Sequence, residues 1–122
     1  MKFSWVTINV SDMTKSLDFY RNITGLKIAR RMNPMPGTEI VFLDGEGTEI
    51  ELIHNGKNKE PLYGKDISLG FEVKSIDETV INIGKTGISE IQGPFQPNPS
   101  IKFIYIKDPD GLRIQFFENI IK

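Results

Sequence analysis

Apolar and polar positions alternate through residues 3–10, with Val6, Ile8 and Val10 on one side and Trp5, Thr7 and Asn9 on the other. That is the period of a β-strand with one buried face. The period then changes to that of a helix, with Met13, Leu17, Tyr20 and Ile23 on one stripe, Ser11 or Asp12 available as the cap and Gly25 placed to end it. Three further strands are expected at 26–31, 38–43 and 48–54. A loop with Pro34, Pro36 and Gly37 and the turn Asp44-Gly45-Glu46-Gly47 separate them. The first half thus reads β-α-β-β-β.

A polar loop follows, and the pattern restarts. Ile67, Leu69, Phe71 and Val73 alternate, and Ser75 with Glu78 forms a Ser-x-x-Glu capping box. A second helix carries Ile76, Val80 and Ile83 and stops at Gly87. A short strand at 88–91, a loop with Pro94, Pro97 and Pro99, and strands at 101–107 and 112–118 complete a second β-α-β-β-β. Residues 44–55 lie over 108–119 at an offset of 64, with Asp, Gly, Ile and Asn identical at matching places, and Val10 lies over Val73 at an offset of 63. Turn, strand parity and helix cap agree, so an internal duplication is expected. The chain reads as a single domain, 1–122, made of a first unit at 1–55, a linking loop at 56–65 and a second unit at 66–122.

A helix must bury its stripe on one sheet face, which leaves the other face free. Parity assigns to the helix side Val6, Ile8 and Val10, Ile40 and Phe42, Ile50 and Leu52, Leu69, Phe71 and Val73, Ile104 and Ile106, and Leu112, Ile114 and Phe116. The free face then carries Trp5, Thr7, Asn9, Glu39, Val41, Glu49, Glu51 and Ile53 in the first unit. In the second it carries Ser68, Gly70, Glu72, Phe103, Tyr105, Arg113, Gln115 and Phe117. Glu39, Glu49, Glu72 and Arg113 read as a solvated surface. The aromatic set Trp5, Phe103, Tyr105 and Phe117 is costly to leave in water and points to a ligand cleft or a subunit contact.

Composition narrows the chemistry. In 122 residues, 15 basic and 16 acidic side chains give a net charge of −1, which offers nothing to nucleic acid or an anionic membrane. The absence of cysteine excludes disulfides, thiolate metal sites and a cysteine nucleophile. No stretch approaches the roughly 18 apolar residues of a membrane span, and no secretory signal is evident, so a cytoplasmic protein is expected. There is one histidine, His54, and parity puts it on the helix side of its strand, away from Glu51. Asp66 reads as a solvated residue at the start of a strand, and Asp108-Pro109-Asp110-Gly111 reads as a tight turn.

The runs Val10-Ser11-Asp12-Met13, Ser16-Leu17-Asp18-Phe19-Tyr20 and Thr24-Gly25-Leu26, with the late Asp108-Pro109-Asp110-Gly111-Leu112-Arg113-Ile114-Gln115, span most of the chain. With the twin units they resemble the vicinal oxygen chelate superfamily of glyoxalase I, epimerases, bleomycin-resistance proteins and extradiol dioxygenases. The resemblance implies an α+β fold in which two tandem βαβββ units form a cupped, mostly antiparallel sheet with helices outside. It also implies a homodimer, since short members usually pair.

In glyoxalase-like members, the first and last strands of each unit supply ligands to a divalent metal. Carried over, those places are Trp5 and Glu51, then Ser68 and Gln115. Trp5 has no donor, Ser68 is poor, Gln115 is weak and neutral, and only Glu51 is a good ligand. An amide at Gln115 also cannot act as a general base. A metal-free protein with no cofactor is therefore expected.

Three readings remain open. The first is a small-molecule binder using Trp5, Thr7, Glu51, Ser68, Phe103, Tyr105, Gln115 and Phe117. The second is a divergent glyoxalase- or epimerase-like enzyme with Glu51 as catalytic proton shuttle. The third is an interaction module whose cup is filled by its own side chains.

Overall fold

A computed structural model of the chain describes residues 1–120. The chain divides into two compact units, Met1–Leu62 and Tyr63–Lys122. In the first, β1 (Trp5–Asn9), α1 (Met13–Asn22), β2 (Lys27–Met35), β3 (Thr38–Asp44) and β4 (Glu49–Asn55) follow in order. The second repeats them as β5 (Ser68–Glu72), α2 (Ile76–Lys85), β6 (Gln92–Asn98), β7 (Ile101–Lys107) and β8 (Arg113–Asn119). Each unit has its own four-stranded sheet, ordered β1-β4-β3-β2 and β5-β8-β7-β6. The expected α+β fold of tandem βαβββ units is present. Among the described residues no helix is long and apolar enough to cross a membrane.

In each unit the first strand pairs in parallel with the last, and the other two pairings are antiparallel. Parallel neighbours need a long crossover, and the helix and two intervening strands supply it. Local chemistry starts and stops each helix where the pattern implies. The Asp12 carboxylate accepts from the Lys15 amide at 3.0 Å, and the Ser75 hydroxyl accepts from the Glu78 amide at 3.2 Å. Gly25 and Gly87 follow the helices at φ 75° and 92°, a conformation that costs glycine nothing. The Ile76 amide, a donor with no partner inside α2, is taken by Glu118 of β8 at 2.8 Å.

The first core sets Tyr20, Leu17 and Met13 of α1 against Ile8, Val10, Val41, Leu43, Ile50 and Leu52. The second sets Ile76 and Ile83 of α2 against Ile104, Ile106, Leu112, Ile114 and Phe116. A buried turn supports the second unit. Asp108, only 5% exposed, accepts from the amides of Asp110 and Leu112, each at 2.9 Å. Its counterpart Asp44 accepts from the Glu46 amide at 2.9 Å. Burial, and then the negative charges of Asp108 and Asp110, push the Tyr63 phenol above its ordinary range.

Three expectations are corrected. In β3, Val41 and Leu43 pair with Leu52 and Ile50 and are fully buried, so they face the helix. Ile40 and Phe42 pair with Ile53 and Glu51 and belong to the opposite face, while Glu39 pairs with His54 on the helix side. The run Ile40-Val41-Phe42-Leu43 is apolar at every position, so period two has no sign there and only pairing with β4 supplies one. Second, the strand expected at 88–91 lies instead at Gln92–Asn98 and includes Pro94 and Pro97. Third, β2 runs on to Met35 through Pro34. Both are edge strands, where a missing N–H removes no ladder bond, and both carry register shifts.

The packing sets the outcome of two substitutions. Leu43→Ala is expected to cost about 2–5 kcal/mol and Ile40→Ala clearly less, measured by urea denaturation, because only Leu43 leaves a core cavity. The Tyr63 phenol is raised in the folded state, so its contribution is complete below the ordinary tyrosine value near 10 and is lost as pH rises past it. Tyr63→Phe should therefore flatten the fall in unfolding midpoint above about pH 10, measured by thermal melts across that range.

Candidate ligand-binding site

The strand pairing arranges the same positions on the face opposite each helix, but the two units fill them differently. Through the offsets of 63 and 64, Trp5 corresponds to Ser68, Thr7 to Gly70, Phe42 to Tyr105, Glu49 to Arg113 and Glu51 to Gln115.

In the first unit the polar groups satisfy one another. Thr7 lies beside Glu51 in the parallel pair, and its hydroxyl donates to Glu51 Oε1 at 2.6 Å. Trp5 meets the Phe42 ring edge-on, with centroids 5.4 Å apart. The Arg30 guanidinium lies 3.9 Å from the centre of the Phe42 ring. It also donates to both Glu49 oxygens, at 2.8 and 2.9 Å. This fork holds the Arg30 guanidinium above its ordinary value against the opposing effect of desolvation. Glu49 is thus one half of an ion pair, not a free carboxylate on a wet surface.

In the second unit the face is open and aromatic. Gly70 has no hydroxyl to offer Gln115, and the Gln115 amide donates instead to the Tyr105 hydroxyl at 3.2 Å. Phe103 packs edge-on against Tyr105 at 5.7 Å, Phe95 of β6 lies 5.5 Å from Phe103, and the Arg113 guanidinium sits 3.9 Å from the centre of the Tyr105 ring. These side chains, with Gln92, Pro94, Gln96 and Pro97, line a wide-mouthed, solvent-open cavity of about 600 Å³. That volume lies within the usual range for small-molecule sites.

Of the residues expected at a site, Trp5, Thr7 and Glu51 gather in the first unit, and Phe103 and Tyr105 line the cavity of the second. Gln115 touches Tyr105, Phe117 pairs with Phe103, and Ser68 pairs with Arg113. Phe95, Gln92 and Gln96 are not legible as site residues in the sequence, because the prolines of their strand carry a loop signal, and Arg113 has there the signature of solvated surface. No apolar–polar alternation runs through β6, so the residues of that strand carry no local signal of their place, which pairing with β7 alone supplies.

The donors suited to a metal are few. Glu51 is the one carboxylate among the four family-implied places, and one of its oxygens already accepts from Thr7. Trp5 carries no donor, and Ser68 and Gln115 are neutral, so this set does not fit a tightly held divalent transition metal. Among the described residues no group of three or more His, Cys, Asp or Glu comes together to hold one. His54 lies on the helix side, with Nδ1 3.2 Å from the Val10 carbonyl oxygen. Asp66 is exposed ahead of β5.

The sequence model of the Glyoxalase/Bleomycin resistance protein/Dioxygenase superfamily matches residues 2–116. A lactoylglutathione lyase of Neisseria meningitidis is 27% identical, over 98% of this chain and 91% of its own length. The Bacillus subtilis protein YwbC is 31% identical, over 92% of this chain and 93% of its own. Among solved structures, the antibiotic-binding protein TnmS3 of a Streptomyces species superposes with a TM-score of 0.76 at 20% identity, covering 98% of this chain and 96% of that one.

The cavity depends on β6 lying close to β7. Gly93 has φ 106°, and a Cβ there would stand 3.0 Å from both the Phe103 carbonyl oxygen and the Phe95 amide nitrogen. Gly93→Ala is expected to destabilise the protein by about 1 kcal/mol or more, whereas Gly70→Ala, with no contact under 3.5 Å, should be neutral or stabilising in the same urea titration.

Proposed function

The chain belongs to the Glyoxalase/Bleomycin resistance protein/Dioxygenase superfamily, and we propose that within it this protein binds a small planar organic molecule on the aromatic face of β6, β7 and β8, without a resident catalytic metal. The observation that carries this reading is the 600 Å³ cavity walled by Phe95, Phe103 and Tyr105. Rings set at 5.5–6.5 Å from one another offer both faces and edges to a flat ligand. Gln92, Gln96 and Arg113 add polar groups at the wall to orient it. The donor set supports the metal-free part, because one carboxylate with two neutral oxygens binds transition metals weakly. The antibiotic-binding TnmS3 has the same fold, so that fold accommodates such a role.

A second reading is favoured by the relative in Neisseria meningitidis named a lactoylglutathione lyase. In it, Glu51 would carry the proton, with Thr7 as its hydrogen-bond partner. The amide of Gln115 argues against a lyase that needs two titrating groups at these places.

A thermal-shift screen of planar aromatic compounds separates the two. A binder raises the unfolding midpoint by mass action, and Phe95→Ala or Tyr105→Leu should weaken binding about five- to tenfold. Purified protein carrying a stoichiometric divalent metal and forming lactoylglutathione would reverse the assignment.

A further inference from the structure

The cation and the aromatic ring occur in both units, but only one unit cancels the charge. In the first, Arg30 lies over Phe42 and both Glu49 oxygens bind its guanidinium. In the second, Arg113 lies over Tyr105, the residue equivalent to Phe42, and the place of Glu49 is held by Arg113 itself. Among the described residues the ion pairs join Arg30 to Glu49, Arg31 to Glu39 and Lys102 to Asp77, and none includes Arg113. Of the described side chains lining the cavity, Arg113 alone is charged, and neither aspartate nor glutamate is among them.

A second donor faces the same way. The Gln115 amide donates to the Tyr105 hydroxyl oxygen, so the phenol retains its own proton for an acceptor. A guanidinium over an aromatic ring keeps its edge N–H groups available for a carboxylate, which it meets in a fork geometry. Phe95 and Phe103 supply the flat walls.

We propose that this cavity selects planar aromatic ligands bearing an anionic group, with the ring against Phe95 and Phe103 and the anion at Arg113 and the Tyr105 hydroxyl. This rests on the small-molecule reading and adds the sign of the ligand's charge to it. A cationic ligand held by Glu51 would carry the opposite sign, and the Thr7 hydroxyl occupies one of that carboxylate's oxygens.

Isothermal titration of the intact protein with 2-naphthoate, 2-naphthamide, 2-naphthylmethylammonium and cyclohexanecarboxylate tests it. The naphthoate should bind about tenfold or more tighter than the amide, since a charge-assisted hydrogen bond is the stronger kind. The preference should shrink with added salt, and the non-planar carboxylate should bind more weakly. Arg113→Gln should erase the preference, and an unchanged circular-dichroism spectrum and thermal midpoint report that the variant is folded. Arg113→Lys, which restores charge without the planar fork, should recover part of it. Equal binding of acid and amide, tightest binding of the ammonium compound, or a preference that survives Arg113→Gln would each overturn the charge assignment while leaving the small-molecule reading intact. Absence of binding by every naphthalene compound would overturn both.

Discussion

Each unit depends on the parallel pairing of its first and last strands. That pairing makes the last strand central, with a parallel neighbour on one side and an antiparallel one on the other. It also demands a crossover, which the helix begins and which leaves one face of the sheet covered and the other bare. Residues far apart in the chain are brought side by side on the bare face by this pairing alone. Thr7 and Glu51 meet in the first unit, and Gly70 and Gln115 in the second.

On that common frame the duplication allows divergence at no cost to the core. The buried positions of the two last strands remain apolar and interchangeable in kind, Leu52 with Phe116 and Ile50 with Ile114. The bare faces have separated. The first ties its charged groups into a threonine–glutamate bond and an arginine–glutamate fork. The second replaces threonine by glycine and glutamates by arginine and glutamine, and its edge strand adds an aromatic wall. The polar groups of one surface are satisfied by one another, whereas a cation without a carboxylate partner among the described residues, beside edge-on and tilted rings, makes the other fit for an anionic guest.

The legible and illegible parts of this molecule divide along physical lines. Alternation in residues 3–10 and 67–73 has one apolar and one polar series, so strand and face could both be read there. The run Ile40-Val41-Phe42-Leu43 is apolar throughout, so parity gives its facing in the wrong sense and conceals the partnership of Phe42 with Trp5 and Arg30. Proline in Gln92–Asn98 imitates a loop signal, so Phe95 escaped notice although it stands in the cavity wall. Arg113 had the opposite problem: a lone arginine on a strand is ordinary solvated surface until its ring partner and the lack of a carboxylate partner among the described residues are known.

By itself the sequence determined the repeat, the helix caps, the identity of most core residues and the poverty of metal donors at the family's four places. These are properties of residue type and local spacing, and they hold whichever way the strands pair. The tertiary structure decided which face each side chain of β3 takes, that β6 is a strand at all, and which arginine has no carboxylate partner among the described residues. Those depend on register between segments distant in the chain. A shift of one residue in pairing reverses a whole strand, and an arginine is neutralised or left to a ligand only according to what the neighbouring strand sets beside it.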